Sequence, residues 1–332
     1  MSARVLAPFD LAGLAAGLRA GRALAGKADI GLATARLGLS AASAVAVGDD
    51  CAAIPDGEGF LLLAIEGFMN EFVAGDPWFA GWCGVMVNLS DIAAMGGRPL
   101  AVVDAVWADG EAGAAPVLAG LRAAAERFGV PIVGGHTNIR TDRGQLSVAI
   151  LGRAKRLLTS FDARPGERLV AAIDLRGRYR EPFSNWEAAT EAPAERLRGD
   201  LELLPRLAEA GLCRAAKDIS QGGVVGTAAM LAECSGVGVA LDLAAVPAPP
   251  GADPLRWLTS FPSYGYLLSV RPDDVAAVLG LFAGRGIAAA DIGAVTSART
   301  VTVTDGTATE TIWDFERQVL LGCGPGEREY AA

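Results

Sequence analysis

Four short clusters in this sequence combine carboxylates, amides or a lysine with glycine: Gly48-Asp49-Asp50, Asn88-Leu89-Ser90-Asp91, Gly134-Gly135-His136-Thr137, and Lys217-Asp218-Ile219-Ser220-Gln221-Gly222-Gly223. Carboxylates at the ends of apolar runs suit magnesium, a hard cation that takes oxygen ligands while bridging substrate phosphates. Asp49, Asp50, Asp91 and Asp218 are the candidate ligands if the fold gathers them. Taken singly, each cluster reads equally well as a turn, because Asp and Gly are the usual turn residues. Neither G-x-x-x-x-G-K-[ST] nor a strand-linked G-x-G-x-x-G occurs, so a nucleotide would have to be held by these clusters instead.

Three lysines stand among the 29 basic residues, Lys27, Lys155 and Lys217, and two of them adjoin motif-like segments. Lys27, in Gly26-Lys27-Ala28-Asp29, reads as a phosphate-contacting lysine or as an exposed surface one. His136 is the sole histidine, which excludes a zinc site built on several imidazoles; it reads as a general base or as a packed turn residue. Cys51 adjoins the Asp pair, where carboxylates raise a thiol pKa and oppose a nucleophilic role. Glu66 ends an apolar strand, and Tyr264 and Tyr266 flank Gly265.

The elements that must position these groups alternate between α and β. Residues 8–24 have helical spacing, and 40–65 read as two short strands around a polar turn. The run 78–95 is helical, stopped by Gly96-Gly97 with Pro99 beyond, which places Asn88 and Asp91 on one face. A strand at 100–108, a helix at 115–129 and strands at 131–137 and 145–154 follow, and Pro165-Gly166 break the pattern before a second α/β half. The expected organisation is a helical or flexible segment at 1–39, an N-terminal domain at 40–158, a C-terminal domain at 165–305 and a C-terminal tail at 306–332, whose end GPGEREYAA reads as loose.

Together the clusters resemble the aminoimidazole ribonucleotide (AIR) synthase superfamily, also called PurM-like, which includes thiamine-monophosphate kinase, selenide water dikinase and a hydrogenase maturation carboxamide dehydratase. GDDCAAI at 48–54, VNLSDIAAMGGRPL at 87–100, GGHT at 134–137 and KDISQGGVVGTAAMLAECSGVG at 217–238 match its motifs in order and spacing. The resemblance implies a two-domain α/β fold whose N-terminal halves form a shared β-barrel in a homodimer, with ATP and magnesium as cofactors. It also implies metal ligation by Asp49, Asp50, Asp91 and Asp218. Gly48, Asn88, Asp91, Gly134, Gly135, Thr137, Lys217 and Gly222 would contact the nucleotide, and Asp50, Asp218, His136 and Lys27 would serve catalysis. Two departures bear on activity: Gln221 stands where the fourth motif often carries Asp, and no cysteine precedes Cys51 to act as the selenide enzyme's nucleophile.

Composition sets the remaining bounds. With 332 residues, 52% of them hydrophobic, the chain can bury two cores. A net charge of −9 opposes binding to nucleic acid or an anionic membrane. Five cysteines without a C-x-x-C pair read as reduced thiols. Asp10, Arg19 and Arg22 interrupt the first apolar run, and no stretch approaches the roughly 20 apolar residues of a membrane span. The expectation is a cytoplasmic, ATP- and magnesium-dependent phosphotransferase or ligase/cyclase acting on a small molecule. The alternative is a non-catalytic nucleotide-binding or assembly protein on the same fold.

Overall fold

The computed structural model describes residues 6, 9–21, 24, 26–39 and 45–325. The chain divides into two compact units, one made of 50–157 with 189–209 and the other of 1–49, 158–188 and 210–332. Each unit therefore takes a segment from outside its own stretch of sequence.

The opening segment carries α1 (Leu11–Ala20) and α2 (Ala28–Leu37). Asp10 caps α1 by accepting from the Ala12 and Gly13 amides, satisfying two donors that a helix start leaves without partners. Leu11, Leu14, Ala15 and Leu18 then enter the hydrophobic core of the unit that contains residues 158–188 and 210–332.

The unit beginning at Asp50 is a five-stranded sheet in the order β1-β2-β5-β3-β4. Its strands are β1 (Ala52–Asp56), β2 (Gly59–Phe68), β3 (Arg98–Asp109), β4 (Ile132–Asn138) and β5 (Arg140–Ala154), and its helices are α3 (Asn70–Gly75), α4 (Pro77–Ala94), α5 (Gly110–Phe128), α6 (Ala194–Leu201) and α7 (Leu203–Ala210). Only β3 and β4 pair in parallel, as a crossover through α5 allows. Asp76 caps α4 on the Phe79 amide, with Pro77 at the first helical position. Every residue of α4 from Phe79 to Ala94 is buried, so this helix is a core element on all sides. It meets α5 almost backbone to backbone: a Cβ on Gly120 would lie 1.9 Å from the Trp78 carbonyl oxygen, and one on Gly81 would lie 2.1 Å from that of Val117. Arg98 on β3 ties α6 and α7 to the same unit through Glu202 and Glu209 at 2.6 and 2.7 Å.

The other unit is built on a seven-stranded sheet in the order β15-β14-β10-β13-β6-β12-β9, with β10 at Gly238–Asp242 and β13 at Ala288–Thr296, and a three-stranded sheet in the order β11-β8-β7, made of Phe261–Pro262, Asn185–Glu187 and Arg178–Tyr179. The strands that matter below are β6 (Arg168–Ile173), β9 (Ala215–Asp218), β12 (Gly265–Val270), β14 (Thr300–Thr304) and β15 (Thr309–Asp314); α8 (Gly223–Ser235), α9 (Pro254–Leu258) and α10 (Val275–Ala283) complete the helices. Part of the expected tail is ordered structure. The alternating run TVTVT of β14 offers an edge that β15 completes, and Leu320, Leu321 and Cys323 are buried in the core beyond it. Residues 326–332 lie outside those described. No helix among the described residues is long and apolar enough to cross a membrane.

Candidate active site

In the unit that carries α4, the helix delivers Asn88 and Asp91 from one face, both buried. The Asn88 amide nitrogen donates to the Gly84 carbonyl at 2.8 Å and to the Val148 carbonyl of β5 at 3.1 Å. Those two bonds fix the amide's orientation and leave its Oδ1, an acceptor, buried without a hydrogen-bond partner among the described residues. A carboxylate oxygen of Asp50 and one of Asp91 lie within 4.8 Å of each other. Two unit charges at that separation repel by about 3 kcal/mol at an effective dielectric near 20, and a divalent cation between them reverses the sign. Oxygen donors alone, two of them anionic, are the set that hard cations select.

The third cluster lies on β4, at the sheet edge beside β3. Gly134, Gly135, His136 and Thr137 are all exposed, and Gly135 and His136 pair in register with Asp104 and Ala105. The His136 ring lies against Trp107, 5.6 Å between centroids. Asp104, on β3, was not a sequence candidate. It is half-buried, and its desolvation pushes the carboxyl above the ordinary aspartate range. Across the sheet, Gly135, Asp104, Val148 and Glu66 form one register row, the row whose Val148 carbonyl Asn88 grips. An acid inside the apolar strand LAVVDAVWA was the available signal.

In the other unit, Lys217 and Asp218 end β9, both buried and paired in register with Leu267 and Tyr266 of β12. The backbone turns through Ser220, whose carbonyl accepts from the Gly223 amide at 2.8 Å, and α8 starts with Gly222 at its N-cap. Lys27, 193 residues earlier in the chain, places its Nζ 3.4 Å from the Ser220 Oγ. The structure thus brings Lys27 to the fourth cluster. Gln221 is exposed in the same turn. Tyr264 and Tyr266 form a buried edge-to-face pair, 4.9 Å between centroids.

Asp49 is placed differently from Asp50. Its Oδ2 accepts from the Ser160 amide at 2.7 Å and its Oδ1 from the Ser160 hydroxyl at 2.6 Å. Both oxygens thus hold the chain to Ser160, an interaction that the local motif does not announce. Ser160 itself lay hidden in a stretch that read as a connection between domains.

A two-unit α/β protein with acidic and amide oxygens gathered on one buried helix, and a lysine-lined glycine turn in the second unit, defines a narrow class. The AIR synthase related N-terminal domain matches residues 48–154 and the corresponding C-terminal domain matches 178–306, and the chain belongs to the AIR synthase-related, PurM-like superfamily. An uncharacterized Synechocystis protein is 50% identical over 84% of this chain and 87% of its own length. Thiamine-monophosphate kinase of Methanospirillum hungatei is 31% identical over 62% of this chain and 72% of its own. Among solved structures, T. maritima PurL complexed with ATP superposes with a TM-score of 0.72 at 20% identity, covering 85% of this chain and 47% of that one. The chain thus spans about half of PurL, and that likeness speaks for the fold.

Proposed function

We propose that the protein binds ATP with magnesium and transfers the γ-phosphoryl group to an oxygen or nitrogen of a small metabolite. The observation that carries this reading is the pairing of Asp50 with Asp91 beside a buried Asn88 whose carbonyl oxygen has no partner among the described residues. The kinase relative and the ATP complex of PurL support the choice of nucleotide.

Asp50 and Asp91 would hold the metal, with Asp218 as the carboxylate the fourth motif contributes. Bound there, magnesium neutralises triphosphate charge and polarises the transferred group. Lys27 and the Gly222-Gly223 turn bind phosphate oxygens, Lys27 by charge and the turn through backbone amides at the start of α8. Gly134, Gly135 and Thr137 line the nucleotide, and Lys217 holds the end of β9 that presents Asp218. The acceptor loses its proton to His136, the exposed imidazole beside Gly135, as the new bond to phosphorus forms and ADP leaves. Whether the phosphorylated group is the product or is displaced in a dehydration or cyclisation depends on the acceptor.

The same reading takes the molecule as a homodimer. Ile54, Leu63, Ile65, Val103 and Leu151 share the open face of the five-stranded sheet and are all exposed, Ile65 at 69%. A contiguous apolar face of this kind marks an interaction surface, and a second copy closing the barrel would cover it. A second reading, a nucleotide-binding protein without turnover, draws on exposed Gln221, because an amide is a poorer magnesium ligand than a carboxylate.

Thermal unfolding with ATP, ADP or neither, each with and without magnesium, tests the proposal. ATP held near 100 times its Kd stabilises the native state by about 2.7 kcal/mol, raising the midpoint only when magnesium is present. No rise at millimolar ATP removes the proposal. A rise without metabolite-stimulated ADP release selects the second reading.

A further inference from the structure

The last turn of α8 and the segment that follows β15 converge on Gly48-Asp49, the two residues that lead into Asp50. Three consecutive residues of α8 each hold a different piece. Glu233, fully buried, accepts from the Leu320 amide on one oxygen at 2.6 Å and from the Leu321 amide on the other at 2.5 Å. Cys234 donates its thiol to the Gly48 carbonyl at 3.6 Å. Ser235 donates to the Ser160 carbonyl at 2.7 Å, and Ser160 is the residue that grips both oxygens of Asp49.

The segment fixed by Glu233 closes the same knot from the other side. Cys323 is buried against Gly48 so closely that a Cβ there would lie 2.7 Å from its Sγ, and Gly48 has φ +116°, a conformation that L side chains rarely adopt. The Leu321 carbonyl in turn abuts Gly31 of α2, the helix that Lys27 precedes. A carboxylate buried without a cation costs several kcal/mol unless it is hydrogen-bonded. Two amides of one short segment satisfy Glu233, so the segment and the helix end form a single fixed body.

We infer that Glu233 and Cys323 are positioning residues for the candidate metal site: residues 320–323, held by Glu233, clamp Gly48-Asp49 and thereby fix where Asp50 presents its carboxylate. The inference rests on the reading that Asp50 and Asp91 bind a divalent cation. Within the Gly-Asp-Asp cluster it assigns Asp49 to the clamp and Asp50 to the metal. Outer groups that orient a ligand typically cost about 10- to 100-fold in metal affinity when changed, whereas a residue that only adds global stability leaves the affinity of an already folded protein unchanged.

The test titrates manganese, as a probe for magnesium, into the full chain at 20 °C, well below the unfolding midpoint, for wild type, Glu233→Gln, Cys323→Ala and Asp91→Asn. Glu233→Gln sets an amide donor against a backbone N–H, so it should release the segment; its Kd for manganese should rise about tenfold, with faster amide exchange in residues 45–51 and an intact fold by circular dichroism. Cys323→Ala, which keeps Glu233 and opens space beside Gly48, should give a smaller rise and serves alone if Glu233→Gln does not fold. Affinities within twofold of wild type in the folded variants, while Asp91→Asn binds weakly, overturn the clamp and leave the metal reading standing. Unchanged binding in Asp91→Asn overturns the metal reading and the clamp with it.

Discussion

The two units set their candidate groups on different kinds of support. In the unit of 50–157 these are acids and an amide: Asp91 and Asn88 on a helix buried on all sides, Glu66 and Asp104 on the strands it covers, and Asp50 in the bend before β1. In the other, Lys217 and Asp218 end β9 and Lys27 reaches Ser220 in the turn that follows, so the members of the cluster arrive from distant parts of the sequence. The difference suits the proposed division of labour. Acids that repel one another sit on or beside a rigid support, while the lysine proposed to meet a polyanion reaches a turn that a bound ligand would help to order.

The sharpest way to break that contrast is Asp91→Asn. It should abolish magnesium-dependent stabilisation by ATP, a loss of at least about 100-fold in metal affinity, and leave the ligand-free midpoint no lower than that of wild type, because it removes the repulsion with Asp50; an unfolded variant would make Asp91 a structural residue. Next in size, Lys27→Met should weaken ATP by about 15-fold, the low end of the 1.5–3 kcal/mol range of a charge-assisted hydrogen bond, with manganese affinity in the absence of nucleotide unchanged. Equal losses for metal and nucleotide would erase the proposed separation.

Ile65→Lys should convert a dimer to a monomer in light scattering at micromolar concentration. A monomeric wild type would count against the shared barrel. The smallest effect concerns Asp104. Its folded-state pKa is raised by desolvation, so the protonated form favours the fold; the stability it contributes is present at low pH and is lost as pH rises through the raised value. Asp104→Asn should therefore be more stable than wild type at neutral pH, with the difference vanishing below the ordinary aspartate range. A pH-independent difference would mean that the carboxyl is not desolvated in solution.

The elements of the first unit were legible because their patterns are local. The helix at 78–95 carries its own cap, its apolar spacing and its stop, and the structure places it at 77–94. The shared face of Asn88 and Asp91 follows from helical period alone. What could not be read were relations between distant segments. Nothing in the sequence links Ser160 to Asp49, Lys27 to Ser220, or Glu233 to Leu320, since each pair is joined by tertiary packing. The core contacts of Leu320, Leu321 and Cys323, just before GPGEREYAA, are hidden for the same reason, because three apolar residues in a short segment do not name the core they join. Asp104 escaped notice because a lone acid in a strand is visible only as an interruption.

The contact of α4 with α5 at Gly81 and Gly120 has an energetic consequence for ligand binding. Backbones in contact leave α4 no freedom to slide or roll, so Asp91 and Asn88 hold their places whether or not a cation is bound. On the proposed reading, the work of bringing like charges together would be done during folding, at the expense of the empty protein's stability, and an arriving ion would recover it without moving the helix.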